Sequence, residues 1–143
     1  MVHVSCLVKA LYSLFPEEAI EVNLDNKMQL RGYEGNYRTN DQGKKIMANI
    51  RIKGEGWKKH GGKNYVGGAS NDLGWEVQSD GTISFHVSQY DRGRYSKDWQ
   101  KKLGQRYLIE CIKEQVAESG IWNFETDFEE VNGEIQVEVK SMW

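Results

Sequence analysis

Apolar residues recur along this chain in two rhythms, and the changes of rhythm mark where elements begin and end. His3 to Val8 alternates, with Val4, Cys6 and Val8 set against Ser5 and Leu7, which predicts a first strand buried on at least one face. Leu11 to Ile20 reads as a short helix divided by Pro16, a residue that starts a helix as readily as it interrupts one. From Glu21 to Arg31 alternation returns, with Val22, Leu24, Met28 and Leu30 on one parity and a turn at Asp25-Asn26. Ile46, Ala48, Ile50 and Ile52 then keep strict period two against Met47, Asn49, Arg51 and Lys53. This predicts a strand with one apolar face and one polar, partly basic face.

The second half of the chain is plainer. Trp75 to Gln78 and Ile83 to Val87 flank Asp80-Gly81, a pair suited to a two-residue type I′ hairpin because both central positions need positive φ. Ile83, Phe85 and Val87 share one face of the second strand, which leaves Ser84, His86 and Ser88 on a solvated polar face. Ser96 reads as an N-cap, Asp98 as a first-turn acid and Gly120 as a stop, so a long helix is expected over about 96–119. Its apolar stripe is Trp99, Leu103, Tyr107 and Cys111, widened by Leu108, Ile112 and Val116. Phe124 to Val131, the turn pair Asn132-Gly133 and the alternating Ile135, Val137 and Val139 form a second hairpin. Hairpin links with few helices indicate an α+β fold: a mainly antiparallel sheet with the long helix, and a short N-terminal helix, packed on one face.

Composition narrows the reading. A chain of 143 residues suits a single domain spanning 1–143, and 15 Gly against one Pro favours turns over a disordered tail. No apolar run nears the roughly 18–20 residues that span a bilayer, and no signal-peptide order is seen at the N-terminus. The expectation is an intracellular protein, cytoplasmic or of the plastid stroma, with no membrane contact. The net charge of −2 excludes a globally basic nucleic-acid binder. His3, His60, His86, Cys6 and Cys111 are scattered without paired ligand spacing, so no metal or other cofactor is expected.

Local charge is less even. Gly54 to Gly68 holds six glycines, and from Arg51 to Lys63 five Lys or Arg face one Glu, a local charge of +4. This Gly-rich basic loop, at about 54–70, reads as long and exposed. Glycine lets backbone N–H groups approach phosphate, lysine neutralises it, and Trp57 can stack on a base. The Walker order is absent, because Gly61-Gly62-Lys63 is followed by Asn64. Tyr90-Asp91-Arg92-Gly93-Arg94-Tyr95 repeats the basic and aromatic mixture just before the long helix. By contrast Glu125 to Glu134 carries five acidic residues and no basic one.

Order and spacing over about residue 28 to the end carry a family resemblance: Leu30-Arg31-Gly32-Tyr33-Glu34-Gly35, then Leu73-Gly74-Trp75, Gln105-Arg106-Tyr107, Asn132-Gly133-Glu134-Ile135 and the terminal Trp143. In these the chain resembles a family of small proteins of unknown function, encoded as a hypothetical reading frame in plastid and cyanobacterial genomes and in some phages. The glycine-rich loop departs from that family as an insertion, and the region after the first strand has less helical character than the family's. The resemblance implies no activity, cofactor or catalytic residue; gene neighbourhood in the family implies a protein partner of the AAA+ ATPase class.

Three functions follow as expectations. The first is a non-enzymatic binding or adaptor protein that acts on a protein or phosphorylated partner through the basic loop and the exposed sheet face. Its binding residues are Arg51, Lys53, Trp57, Lys58, Lys59, His60, Lys63, Arg92 and Arg94. The second is a nucleic-acid or nucleotide binder using the same surface. The third is an enzyme with His86 as acid or base beside Glu76. An open sheet face would also suit a homo-oligomer.

Overall fold

Residues 4 to 12 fold as a helix, α1 (Val4–Tyr12), and not as the strand their alternation suggests. The computed structural model describes residues 3–60, 69–114 and the strands at 122–124, 129–131 and 134–141, with backbone alone for residues 59–60 and those strands. The N-terminal window is so rich in apolar residues that both periods fit it. The helical period wins because Cys6, Leu7, Ala10 and Leu11 then share one face, and all four are buried. The predicted helix over Leu11 to Ile20 is also replaced: α1 ends at Tyr12, and a single 3₁₀ turn, Glu17–Ala19, starts behind Pro16.

Among the described residues nine strands follow in chain order, interrupted by a second helix: β1 (Ile20–Val22), β2 (Met28–Gln29), β3 (Met47–Ala48), β4 (Ile50–Ile52), β5 (Leu73–Val77), β6 (Ile83–Val87), α2 (Lys97–Lys113), β7 (Trp122–Phe124), β8 (Glu129–Val131) and β9 (Glu134–Ser141). The main sheet runs β1-β4-β5-β6-β9-β7, with β8 also paired to β9, and each of its pairs is antiparallel. β2 and β3 form a separate antiparallel pair. The fold is therefore α+β, as predicted. Val22 and Leu24, expected on the buried parity, are exposed instead.

One face of the main sheet carries the large core. Ile50, Ile52, Leu73, Trp75, Ile83, Phe85 and Val87 meet Leu7 and Leu11 of α1 and Leu103, Tyr107 and Cys111 of α2. Trp75 stacks on Phe85 at 4.8 Å, and Trp99 meets Tyr95 edge-on at 5.0 Å and Phe15 at 5.9 Å, so aromatic rings fill the space between sheet and helix. The Ser96 hydroxyl caps α2 by accepting the Trp99 N–H at 3.5 Å. The predicted stripe holds at Leu103, Tyr107 and Cys111, but Ile112 is 61% exposed. The last predicted turn of this helix and Gly120 lie outside the described residues.

Both hairpins occur where the turn pairs sit, with one change. Gln78 N–H donates to Thr82 O at 2.9 Å, so the turn between β5 and β6 closes around three residues, 79–81, instead of two, and its last is the positive-φ Gly81 (φ +86°). Asp80 contributes through its side chain, which accepts the Thr82 N–H at 2.9 Å and hydroxyl at 2.6 Å. At the C-terminal end Val131 pairs with Glu134, a two-residue connection that fits Asn132-Gly133; that turn lies outside the described residues.

The strict alternation of Ile46 to Ile52 hides a crossing between two sheets. At Asn49 the chain leaves the small sheet and enters the main one, so Ile46 and Ala48 join Leu30 in a small second cluster while Ile50 and Ile52 join the large core. Asn49 holds the crossing with its own amide: Oδ1 accepts Val77 N–H at 2.9 Å and Nδ2 donates to Asn23 O at 3.1 Å. The small cluster lies on the sheet's second face. A Cβ at Gly74 would stand 2.8 Å from both Ala48 Cβ and Leu30 Cδ1, so glycine alone lets this layer settle there. The expectation of a solvated polar face on the second hairpin strand is thereby corrected: Ser84, His86 and Ser88 are all buried.

Candidate functional site

Four chain segments converge at the end of the sheet where β4 and β6 finish and β5 begins. They are the turn spanning 31–37, the 3₁₀ helix Glu55–His60, residues 69–72, and the turn after β6 that contains Tyr90, Arg92 and Arg94. Asp72 is their keystone. Its Oδ1 accepts Gly54 N–H at 2.7 Å and the Trp57 indole N–H at 2.9 Å, and its Oδ2 accepts Arg31 N–H at 2.8 Å. With 1% of its surface exposed, burial lifts this carboxyl above its ordinary range, against the pull of those hydrogen bonds and of the Arg51 charge. Gly56 permits the next contact: a Cβ there would stand 2.0 Å from Gly32 O, so the two backbones touch.

The consequence is a stack of cations and rings. The Arg31 guanidinium lies 4.2 Å from the Tyr37 ring centre and 5.0 Å from that of Trp57; Arg51 and Lys53 approach the same indole at 4.7 and 5.1 Å. Arg51 is buried, bound to Glu21 at 2.5 Å and to Gln29 O at 3.0 Å, and Lys53 lies 3.6 Å from the same Glu21. The predicted residues Arg51, Lys53 and Trp57 are thus brought together, and the loop expected to be long and exposed begins as a packed helical turn. Lys58 is exposed and pairs with Glu55 at 3.5 Å. Lys59 and His60 close the 3₁₀ helix, with side chains outside the described residues; Lys63 lies outside them altogether.

A second buried carboxylate ties in the remaining turn. Asp91 Oδ1 accepts Ser70 N–H at 2.8 Å and Ser70 hydroxyl at 2.9 Å, while Oδ2 accepts Asn71 N–H at 3.0 Å and Ser88 hydroxyl at 2.9 Å. Beside it, Arg92 and Arg94 are exposed, and Arg92 makes no ion pair with the described residues. Between the turns lies a cavity of about 280 Å³ whose described lining is Tyr33, Ser70 and Tyr90. Sequence reasoning placed Arg31 and Tyr33 only in a family motif and missed Tyr37. The signal was present in the two glycines, Gly32 and Gly35, that make their turn.

His86, the candidate acid or base, belongs to a different place. Its Nε2 is 3.0 Å from Glu76 Oε1, the other oxygen of which is 3.0 Å from Lys27 Nζ. Burial would raise the Glu76 carboxyl, but the hydrogen bonds and charges of His86 and Lys27 outweigh it and hold it at about 2. His86 is 7% exposed, and both flanking serines are engaged: Ser84 accepts from Gln78 at 2.9 Å, Ser88 from Asn71 at 2.9 Å. Together these side chains form a buried polar row on the face of β5 and β6 that the small sheet meets. Among the described residues no three His, Cys, Asp or Glu side chains gather as metal ligands, and no helix is long and apolar enough to cross a membrane. No protein-family model matches the chain, and comparison with curated proteins and with solved structures gives no match.

Proposed function

We propose that this protein is a binding module that holds a phosphorylated partner against the loop end of its sheet. One observation carries the reading: basic and aromatic side chains from separate segments meet there, beside a cavity, on turns held in place by the buried carboxylates Asp72 and Asp91. The inner cations, Arg31, Arg51 and Lys53, position Trp57 and are largely used within the fold. Arg92 faces solvent and supplies charge that meets phosphate; Lys58, which pairs with Glu55, and Arg94, which lies 5.9 Å from the Tyr95 ring centre, are exposed as well. The polar face of β6 nominated from sequence has no part in it, because Ser84, His86 and Ser88 are buried.

Fluorescence anisotropy with a labelled single-stranded oligonucleotide, and competition by inorganic polyphosphate, tests this. Binding should weaken with salt along a log–log line, and Arg92→Ala with Arg94→Ala should cost about tenfold in affinity and flatten the slope by about 1.4, at roughly 0.7 for each phosphate no longer neutralised. Failure of both polyanions to bind at low salt would overturn the reading.

A further inference from the structure

We infer that the cavity between Tyr33 and Tyr90 is a site for an unpaired nucleobase, entered with an amino edge toward Ser70. The inference rests on the proposed phosphate-binding role of this end of the sheet and names the partner as single-stranded nucleic acid. Its first support is exposure: Tyr33 is 54% and Tyr90 86% exposed, so two large rings on separate turns present open faces beside one cavity. Sequence-tolerant recognition of single strands uses such rings as platforms for bases. At about 280 Å³ the cavity suits one ring system and not an extended ligand.

The second support is the hydrogen-bonding capacity of the lining. A serine hydroxyl has one proton and two acceptor positions. Ser70 gives its proton to Asp91 at 2.9 Å and accepts from Asn71 Nδ2 at 3.0 Å, which leaves one acceptor position and no donor. The Asp91 carboxylate cannot release that proton's place, since Ser70 and Asn71 backbone N–H groups and the Ser88 hydroxyl also hold it. An edge that faces the Ser70 hydroxyl must therefore donate. The exocyclic amino groups of adenine, cytosine and guanine do so, whereas the thymine N–H is flanked by two carbonyl oxygens, one of which would crowd this acceptor. Arg92, exposed and two residues beyond Tyr90 on the same turn, supplies a cation for the backbone phosphate of a stacked nucleotide.

The test compares oligo-dA, oligo-dT and an abasic oligonucleotide of equal length by anisotropy at fixed salt, with inorganic polyphosphate as competitor. The three carry the same phosphates, so differences report the base. Oligo-dA should bind about fivefold or more tightly than the abasic strand. Tyr33→Ala and Tyr90→Ala should each bring oligo-dA toward the abasic level and leave abasic binding unchanged, whereas Tyr90→Phe should keep the preference. Both tyrosines are exposed, so folding survives truncation, and the Tyr33 backbone stays anchored by its N–H to Asn71 Oδ1 at 2.9 Å. Equal affinity for oligo-dA and the abasic strand would overturn the base site while leaving phosphate binding standing. Equal affinity for oligo-dT and oligo-dA would overturn the amino-edge assignment, and failure of every polyanion to bind would remove both readings.

Discussion

Glu76 shows how one residue joins two layers: it receives His86 from the main sheet and Lys27 from the segment leading into β2. Its carboxyl is held at about 2 against an ordinary value of 4.5. A depressed carboxyl contributes stability above the ordinary value and loses it as pH falls between the two. Stability of the native protein should therefore decline from about pH 4.5 to about pH 2, by no more than about 3 kcal/mol from this group. Glu76→Gln should be less stable at neutral pH and show a flatter acid limb, the two curves converging near pH 2; parallel curves would refute the assignment. At this scale the sequence was partly legible. His86 and Glu76 could be placed on one face of the hairpin from strand parity, but not their burial, because the covering layer comes from residues some fifty positions upstream. Asp72 was silent for the same reason: its donors, Arg31, Gly54 and Trp57, reach it only through the tertiary fold.

Elements were legible where one period was unambiguous and closed by its own turn or cap. The β5–β6 hairpin and the body of α2 follow from alternation, Gly81 and Ser96. α1 did not, because a densely apolar window fits a strand and a helix equally and only contact with α2 decides. The bend at Asn49 was invisible too, since a kink preserves sequence parity while exchanging the faces. Gly74 marks the contact between the resulting layers. Gly74→Ala should drive a methyl into Ala48 and Leu30 and cost about 1–3 kcal/mol in urea denaturation, with chemical-shift changes concentrated in residues 28–48. Shifts spread instead through α1 and α2 would show that the small sheet is not what Gly74 accommodates.

For the whole molecule, charge was legible as composition and not as surface. The local excess of +4 around the glycine-rich loop is real in sequence, yet Glu21, thirty residues before Arg51, neutralises much of its inner part. What the fold adds is convergence: Tyr33, Trp57, Ser70 and Tyr90 are far apart along the chain and meet only because β4, β5 and β6 bring their ends to one edge.

The unequal size of the two apolar clusters has a consequence for the order in which the protein assembles and comes apart. Leu30, Ile46 and Ala48 are too few to hold a sheet alone, and their floor is Gly74 of β5, so β2 and β3 can settle only on a main sheet already formed. The turn that carries Arg31, Tyr33 and Tyr37 is part of that late layer. Native-state hydrogen exchange should show amides of residues 28–48 opening at a lower free energy than those of β5, β6 and α2. The surface proposed for recognition would then be the last part of the molecule to form and the first to be lost, and a bound strand would be felt there as slowed opening.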